Sequence, residues 1–167
     1  MLTKTGVPTT QDLVAVIPSQ ERLQSGPVAV IECFQKIPCN PCFLSCRQGA
    51  IQEFVDINDL PRIDDSKCNG CGICVANCPG LAIFVVDYTF AQDEALIKIP
   101  YEYLPVPGIN SGVIALDREG REVGTATIVK VQRLKGQERT PILWLGVPKD
   151  LAMSVRNIRV EGQSHAE

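Results

Sequence analysis

The chain has 167 residues, of which 45% are apolar, 21% charged and 5% aromatic, with a formal net charge of -3. That is apolar material enough for one large or two small domains, it argues against disorder or a collagen-like fibre, and the weak acidic balance without a long basic run argues against electrostatic binding of nucleic acid. Eight cysteines, no apolar stretch approaching the roughly 18 residues of a membrane span, and a first segment, Met1-Leu2-Thr3-Lys4-Thr5-Gly6, without a secretory apolar core point to a reducing cytoplasm. There, clustered cysteines serve as metal ligands more often than as disulfides.

In chain order, residues 1–30 are polar and punctuated by Pro8, Pro18 and Pro27. They read as an N-terminal arm, extended, with at most one strand at Leu13-Val14-Ala15-Val16-Ile17. Residues 31–90 contain all eight cysteines. Residues 91–160 contain none and have strand character. Leu96-Ile97-Lys98-Ile99 alternates, Val113-Ile114-Ala115-Leu116 runs into a turn at Asp117-Arg118-Glu119-Gly120, and residues 122–131 are β-branched and alternating. Another strand is expected at Ile142-Leu143-Trp144-Leu145-Gly146-Val147, with a short helix starting after Pro148. Residues 161–167 read as a flexible tail carrying the single histidine, His165. A positioned imidazole is therefore missing from the body of the chain, which excludes Ser-His-Asp and Cys-His catalysis and histidine-ligated zinc hydrolysis. No catalytic site is expected, and any chemistry must run through the cysteines.

Cys68-Asn69-Gly70-Cys71-Gly72-Ile73-Cys74-Val75-Ala76-Asn77-Cys78-Pro79 has the spacing Cys-x2-Cys-x2-Cys-x3-Cys-Pro. Three thiolates two residues apart wrap one corner of a cubane, and the fourth turns away to serve the other cluster of a pair. Gly70 and Gly72 allow the loop to lie close to the inorganic core, and Pro79 bends the chain off it. Structural zinc is the alternative, though zinc sites pair two separated Cys-x2-Cys knuckles. A shift of 32 residues superimposes Cys39, Cys42 and Cys46 on Cys71, Cys74 and Cys78, and Ala50-Ile51 on Ala82-Ile83. The first copy departs twice: its leading ligand is Cys33, five residues before Cys39, and Arg47 stands where Pro79 follows Cys78. The bland alternative is one cluster and a degenerate copy, with Cys33 a buried thiol. With crossing, Cys33, Cys39, Cys42 and Cys78 hold one 4Fe-4S cluster and Cys68, Cys71, Cys74 and Cys46 the other. Ile51, Ile73, Ile83 and Phe43 are candidates to shield them from water. Arg47, Arg62 and Lys67 are candidates to offset their charge, and Asp56, Asp59, Asp64, Asp65 and Asp87 could form an acidic docking face.

Over residues 30–88 these motifs resemble the bacterial-type two-cluster ferredoxin module. Residues 31–42 and 147–158 further resemble the ferredoxin-like small subunits of FAD-dependent amino-acid or amine dehydrogenase complexes of the proline dehydrogenase type, found in anaerobes and archaea. The resemblance implies an α+β fold: a dicluster ferredoxin-like module at 31–90 followed by a small mainly-β domain at 91–160 that forms an interface. It also implies a non-catalytic subunit that relays electrons from FAD on a partner dehydrogenase within a hetero-oligomer. A free dicluster ferredoxin, or a subunit of another redox complex, is the alternative.

Overall fold

The computed structural model describes residues 2–137 and 139–160. Glu138 and residues 161–167, with the expected tail and His165, lie outside the described residues.

Three short helices occupy the N-terminal arm, and the apolar run at residues 13–17 is not the strand that was expected there. Helices α1 (Leu2–Thr5), α2 (Thr10–Val14) and α3 (Gln20–Gln24) precede the first strand. Residues 13–17 do not extend because Thr9 and Asp12 form a reciprocal capping box: the Thr9 hydroxyl accepts from the Asp12 amide and the Asp12 carboxylate accepts from the Thr9 amide at 2.8 Å. Ser19 caps α3 in the same way, accepting from the Arg22 amide. The arm's strand lies later, at β1 (Val28–Ile31), where Pro27 is followed by a β-branched, fully buried run.

Helices α4 (Pro41–Ser45) and α5 (Ile73–Asn77) separate β1 from β2 (Ile83–Asp87), and β3 (Glu94–Pro100), β4 (Gly112–Leu116), β5 (Glu122–Gln132), β6 (Ile142–Pro148) and β7 (Asn157–Arg159) follow. The turn after β4 forms as its sequence suggests, with Gly120 at φ 75° and its amide donating to the Asp117 carbonyl at 3.1 Å. The helix expected after Pro148 is shorter than read, a single 3-10 turn over Lys149–Leu151.

All seven strands form one antiparallel sheet in the order β1-β2-β3-β6-β5-β4-β7. The sheet runs straight through residue 90, because β2 pairs with β3 (Val86 opposite Ile97). Side-chain alternation divides the interior between the two faces of this sheet. Val30, Phe84, Val86, Ile97, Ile99, Leu143 and Leu145 join one cysteine-free core with Val113, Ala126, Ile128, Val155 and Ile158. Ala29, Ile31, Ile83, Val85 and Ile142 point the other way into a second core built around the cysteines. The cysteine segment is thus a layer laid over the β1, β2, β3 and β6 end of the sheet.

The sheet also curls until its two edges meet. Glu32, directly after β1, accepts from Arg156, directly before β7, at 2.8 Å, and from Arg118 in the β4–β5 turn at 2.6 and 2.7 Å. Burial would raise the Glu32 carboxyl, but the hydrogen bonds and charges of Arg118 and Arg156 outweigh it and hold the group below the ordinary glutamate range.

Candidate iron–sulfur centre

The internal repeat is structural as well as sequential. Helices α4 and α5 are offset by 32 residues at both ends, and each is followed by a cysteine in extended conformation, Cys46 and Cys78. The same offset carries the isolated Ile51–Ile63 bridge onto the Ile31–Ile83 pair of β1 and β2, with the order of the partners reversed. Even single hydrogen bonds correspond: Asp64 donates to the Ala50 carbonyl at 2.8 Å, as Glu32 donates to the Ala82 carbonyl at 2.8 Å. Each half donates one strand-like segment to the other, so an approximate two-fold relation connects them and the last cysteine of each copy crosses over.

Two clefts of similar size result. One, of about 380 Å³, is lined by Cys33, Cys39, Cys42 and Cys78 together with Ile31, Phe54 and Ile83. The other, of about 350 Å³, is lined by Cys46, Cys68, Cys71 and Cys74 together with Ala29, Ile51 and Ile73. These are the two crossed sets read from the spacing. All eight thiols are free of disulfides. Among the described residues no three His, Cys, Asp or Glu side chains close on a single ion. The thiols stand round a space rather than a point, which suits a multi-iron body better than one tetrahedral zinc.

Backbone amides are aimed at several sulfurs. Ala29 and Gly70 donate to Cys68 Sγ at 3.4 and 3.5 Å, Ile51 to Cys46 Sγ at 3.5 Å, and Ala82 to Cys78 Sγ at 3.4 Å. Such donors stabilise thiolate charge and tune a bound cluster. Without iron the buried thiols resist ionisation: burial, then the neighbouring sulfurs, push Cys74 up to about 12, and burial pushes Cys42 up to about 11 and raises Cys33. Loading the clefts must therefore expel protons.

Of the expected shielding residues, Ile83 lines the first cleft and Ile51 and Ile73 the second. Phe43 packs edge-on against Phe54, ring centroids 6.4 Å apart. Gly70 lines the second cleft and also makes a close approach that the sequence did not suggest. A Cβ there would lie 2.5 Å from the Pro27 Cβ, so the loop's tight approach is to the chain entering β1, and its φ of +63° also favours glycine. The basic residues expected to offset cluster charge line neither cysteine cleft, and Lys67 pairs instead with Asp64 at 3.1 Å. Of the acidic candidates, Asp59 lines the first cleft.

Two other cations, unmarked in the sequence, bind the backbone of the second cysteine loop. Arg22 of α3 donates to the carbonyls of Asp65, Gly26, Pro27 and Cys68 at 2.7–3.0 Å, stapling the arm to the first cysteine of the second set. Lys98 of β3 is only 5% exposed and donates to the Gly70 carbonyl at 2.6 Å. The strand's alternation places Lys98 on a polar phase that reads as solvent-facing, but the cysteine loop covers that face. A composition signal for either residue is absent, since both are single cations in unremarkable surroundings.

A family model described as a 4Fe-4S binding domain matches residues 60–83. The pyruvate synthase subunit PorD of Methanocaldococcus jannaschii is 45% identical over 47 residues, 28% of this chain and 52% of that protein. The chain thus spans about half the length of this curated relative. No solved structure matches the chain, and no helix among the described residues is long and apolar enough to cross a membrane. Motif, paired clefts and matched segment agree on a 4Fe-4S binding domain in this chain, which supports an iron–sulfur electron-transfer role.

Proposed function

We propose that the chain is an electron-relay subunit with two 4Fe-4S clusters, one held by Cys33, Cys39, Cys42 and Cys78 and the other by Cys46, Cys68, Cys71 and Cys74. The observation that carries this reading is the gathering of four thiols round each of two clefts of nearly equal volume. When bound, each cluster supplies a one-electron carrier. The chain's own residues provide the thiolates, the amide donors that offset their charge, and the apolar lids Ile31, Phe54, Ile83, Ile51 and Ile73 that limit water.

That partner, on this reading, is a cytoplasmic flavin-dependent dehydrogenase oxidising an amino acid or amine, with FAD on the partner and this chain as one subunit of a hetero-oligomer. Its support is the resemblance of residues 31–42 and 147–158 to the small subunits of such complexes, and the arm and curled sheet that surround the cysteine layer. A second reading is favoured by the PorD match: a subunit of a complex acting on pyruvate or a similar 2-oxo acid. Anaerobic purification from the native source tests both. Iron, sulfide and flavin are measured per chain, and the co-purified assembly is assayed with amino acids, amines and pyruvate. About eight irons with a flavoprotein bound and amino-acid or amine oxidation supports the first reading; pyruvate oxidation supports the second. Eight irons on a lone monomer would make the chain a free ferredoxin, and four or fewer after reconstitution would remove the two-cluster relay.

A further inference from the structure

The two clefts differ in the charge behind them. Neither lining contains a lysine or arginine, and that of the first includes a carboxylate, Asp59. One layer behind the loop of the second lies Lys98, whose ammonium donates to the Gly70 carbonyl at 2.6 Å between Cys68 and Cys71 and rests 3.9 Å above the Trp144 ring. Burial lowers the pKa of the ammonium; of the groups facing it, Cys71, Asp87 and Cys68 favour its charge and Lys130 opposes it. Lys130 lies over the same ring at 4.6 Å, and Trp144 is fixed by donating from Nε1 to Gln132 at 2.9 Å. The register places Lys98 directly opposite Trp144 across β3 and β6, and the residue is only 5% exposed. The nearby Cβ position of Gly72 would touch the Lys98 Cδ at 3.5 Å, which shows how closely the loop lies on the lysine stem.

We infer that Lys98 is a positioning residue that makes the cluster of the second cleft the easier of the two to reduce. A cluster held by four thiolates carries about -2 when oxidised and gains one further negative charge with each electron. A fixed buried cation favours that added charge far more than a solvated one does. The first cleft instead has the Asp59 carboxylate in its lining, which opposes added negative charge, so an electron supplied by an external reductant to the first set passes to the second and rests there. The arrangement gives the relay a direction. The inference rests on the two-cluster reading above.

The test is an anaerobic potentiometric titration of the iron-loaded full chain, followed by low-temperature electron paramagnetic resonance, with dithionite as reductant. Cys42→Ser and Cys74→Ser chains assign the two signals. In the unaltered chain the signal lost with Cys74→Ser should appear at the higher potential. Lys98→Met and Lys98→Gln should lower the reduced-to-oxidised ratio of that cluster about tenfold at fixed potential, which for one electron is about 59 mV, and leave the other cluster's midpoint in place. Lys98→Arg should stay near the parent value, and Lys130→Met should shift the midpoint far less than Lys98→Met. An unchanged midpoint in both neutral variants at full iron content overturns the inference, as do equal shifts of both clusters. Loss of the Cys74-dependent cluster from both neutral variants overturns it too, in favour of a purely structural lysine. About four irons in the parent chain would instead sink the two-cluster reading, and the surviving cluster would still report whether Lys98 sets its potential.

Discussion

Replacing Glu32 by glutamine should destabilise the chain more than any other single surface-to-core charge change. The Glu32 side chain is 7% exposed and sits between Arg118, 15% exposed, and Arg156, 4% exposed. Burial, with the Arg118 charge beside it, holds Arg156 down to about 10 even though the charge and hydrogen bond of the Glu32 carboxylate oppose that shift. Neutralising the carboxylate leaves the buried Arg156 guanidinium without a counter-charge, and breaking a buried pair in this way costs about 3–5 kcal/mol. In a chain of this length each kcal/mol moves the melting temperature by about 2–4 °C, so the expected fall is roughly 6–20 °C. Circular dichroism melts of the iron-loaded protein under anaerobic conditions measure it, with Arg121→Ala as control. Arg121 is 68% exposed where it meets Asp117, and loss of such a surface pair costs about 0–1 kcal/mol. The double variant Glu32→Met with Arg156→Met should recover part of the loss, because it removes the orphaned charge along with its partner. A fall no larger than that of Arg121→Ala would refute the claim that this triad clasps the two sheet edges.

Cys46→Ser should abolish the signal of the cluster set Cys68, Cys71 and Cys74 and spare its sequence neighbours, leaving about half the iron; loss of the other signal alone would contradict the crossed sets. Removing iron by chelation should strip amide-exchange protection from about residues 33–80, whose core is built around cysteines, and leave β3 to β7 protected through the cysteine-free core; uniform protection would count against two separable layers. Gly70→Ala forces a Cβ to within 2.5 Å of Pro27 at a φ of +63°, costs about 1–3 kcal/mol from backbone strain alone, and should lower iron retention at the second set; wild-type retention would show that the loop can relax. Arg22→Ala deletes donors to four carbonyls, and with charged hydrogen bonds worth about 1.5–3 kcal/mol each even partial loss should speed iron release from the Cys68 set relative to the Cys33 set; equal release rates would remove the staple.

The part of this molecule legible in its sequence is the part fixed by short covalent spacing. Cys68, Cys71 and Cys74 face one space because of their two-residue intervals, the 32-residue shift revealed the partner copy, and the crossing of Cys46 and Cys78 was read from the general pattern of two-cluster motifs. Strands β3, β4, β5 and β6 were readable for a similar reason, since alternation is local. What lay hidden depends on contacts between distant segments. Thr9 and Asp12 turn the apolar run at residues 13–17 into the end of a helix, a choice made by two polar side chains rather than by the run itself. Glu32 reads as an ordinary acidic residue beside Cys33 until the β4–β5 turn and the approach to β7 bring two arginines to it.

Lys98 shows the same limit most sharply, because its pattern is that of a solvent-facing strand position. Alternation reports which face of a strand a residue occupies, and it carries no record of what is later laid on that face. Here the covering layer is the cysteine loop, so a residue chosen by strand period for water ends against a carbonyl of the metal-binding segment. The cost of burying that cation is offset by groups the loop brings, the Gly70 carbonyl and the sulfurs of Cys71 and Cys68, together with the Trp144 ring of β6 and the Asp87 carboxylate. The sulfurs count fully only as thiolates, and they are thiolates when iron holds them. Iron loading and the burial of Lys98 should therefore reinforce each other. The iron-free chain is expected to let the lysine loosen from its seat, which a faster amide exchange at Gly72 and Lys98 than at Ile128 and Leu145, after chelation, would report.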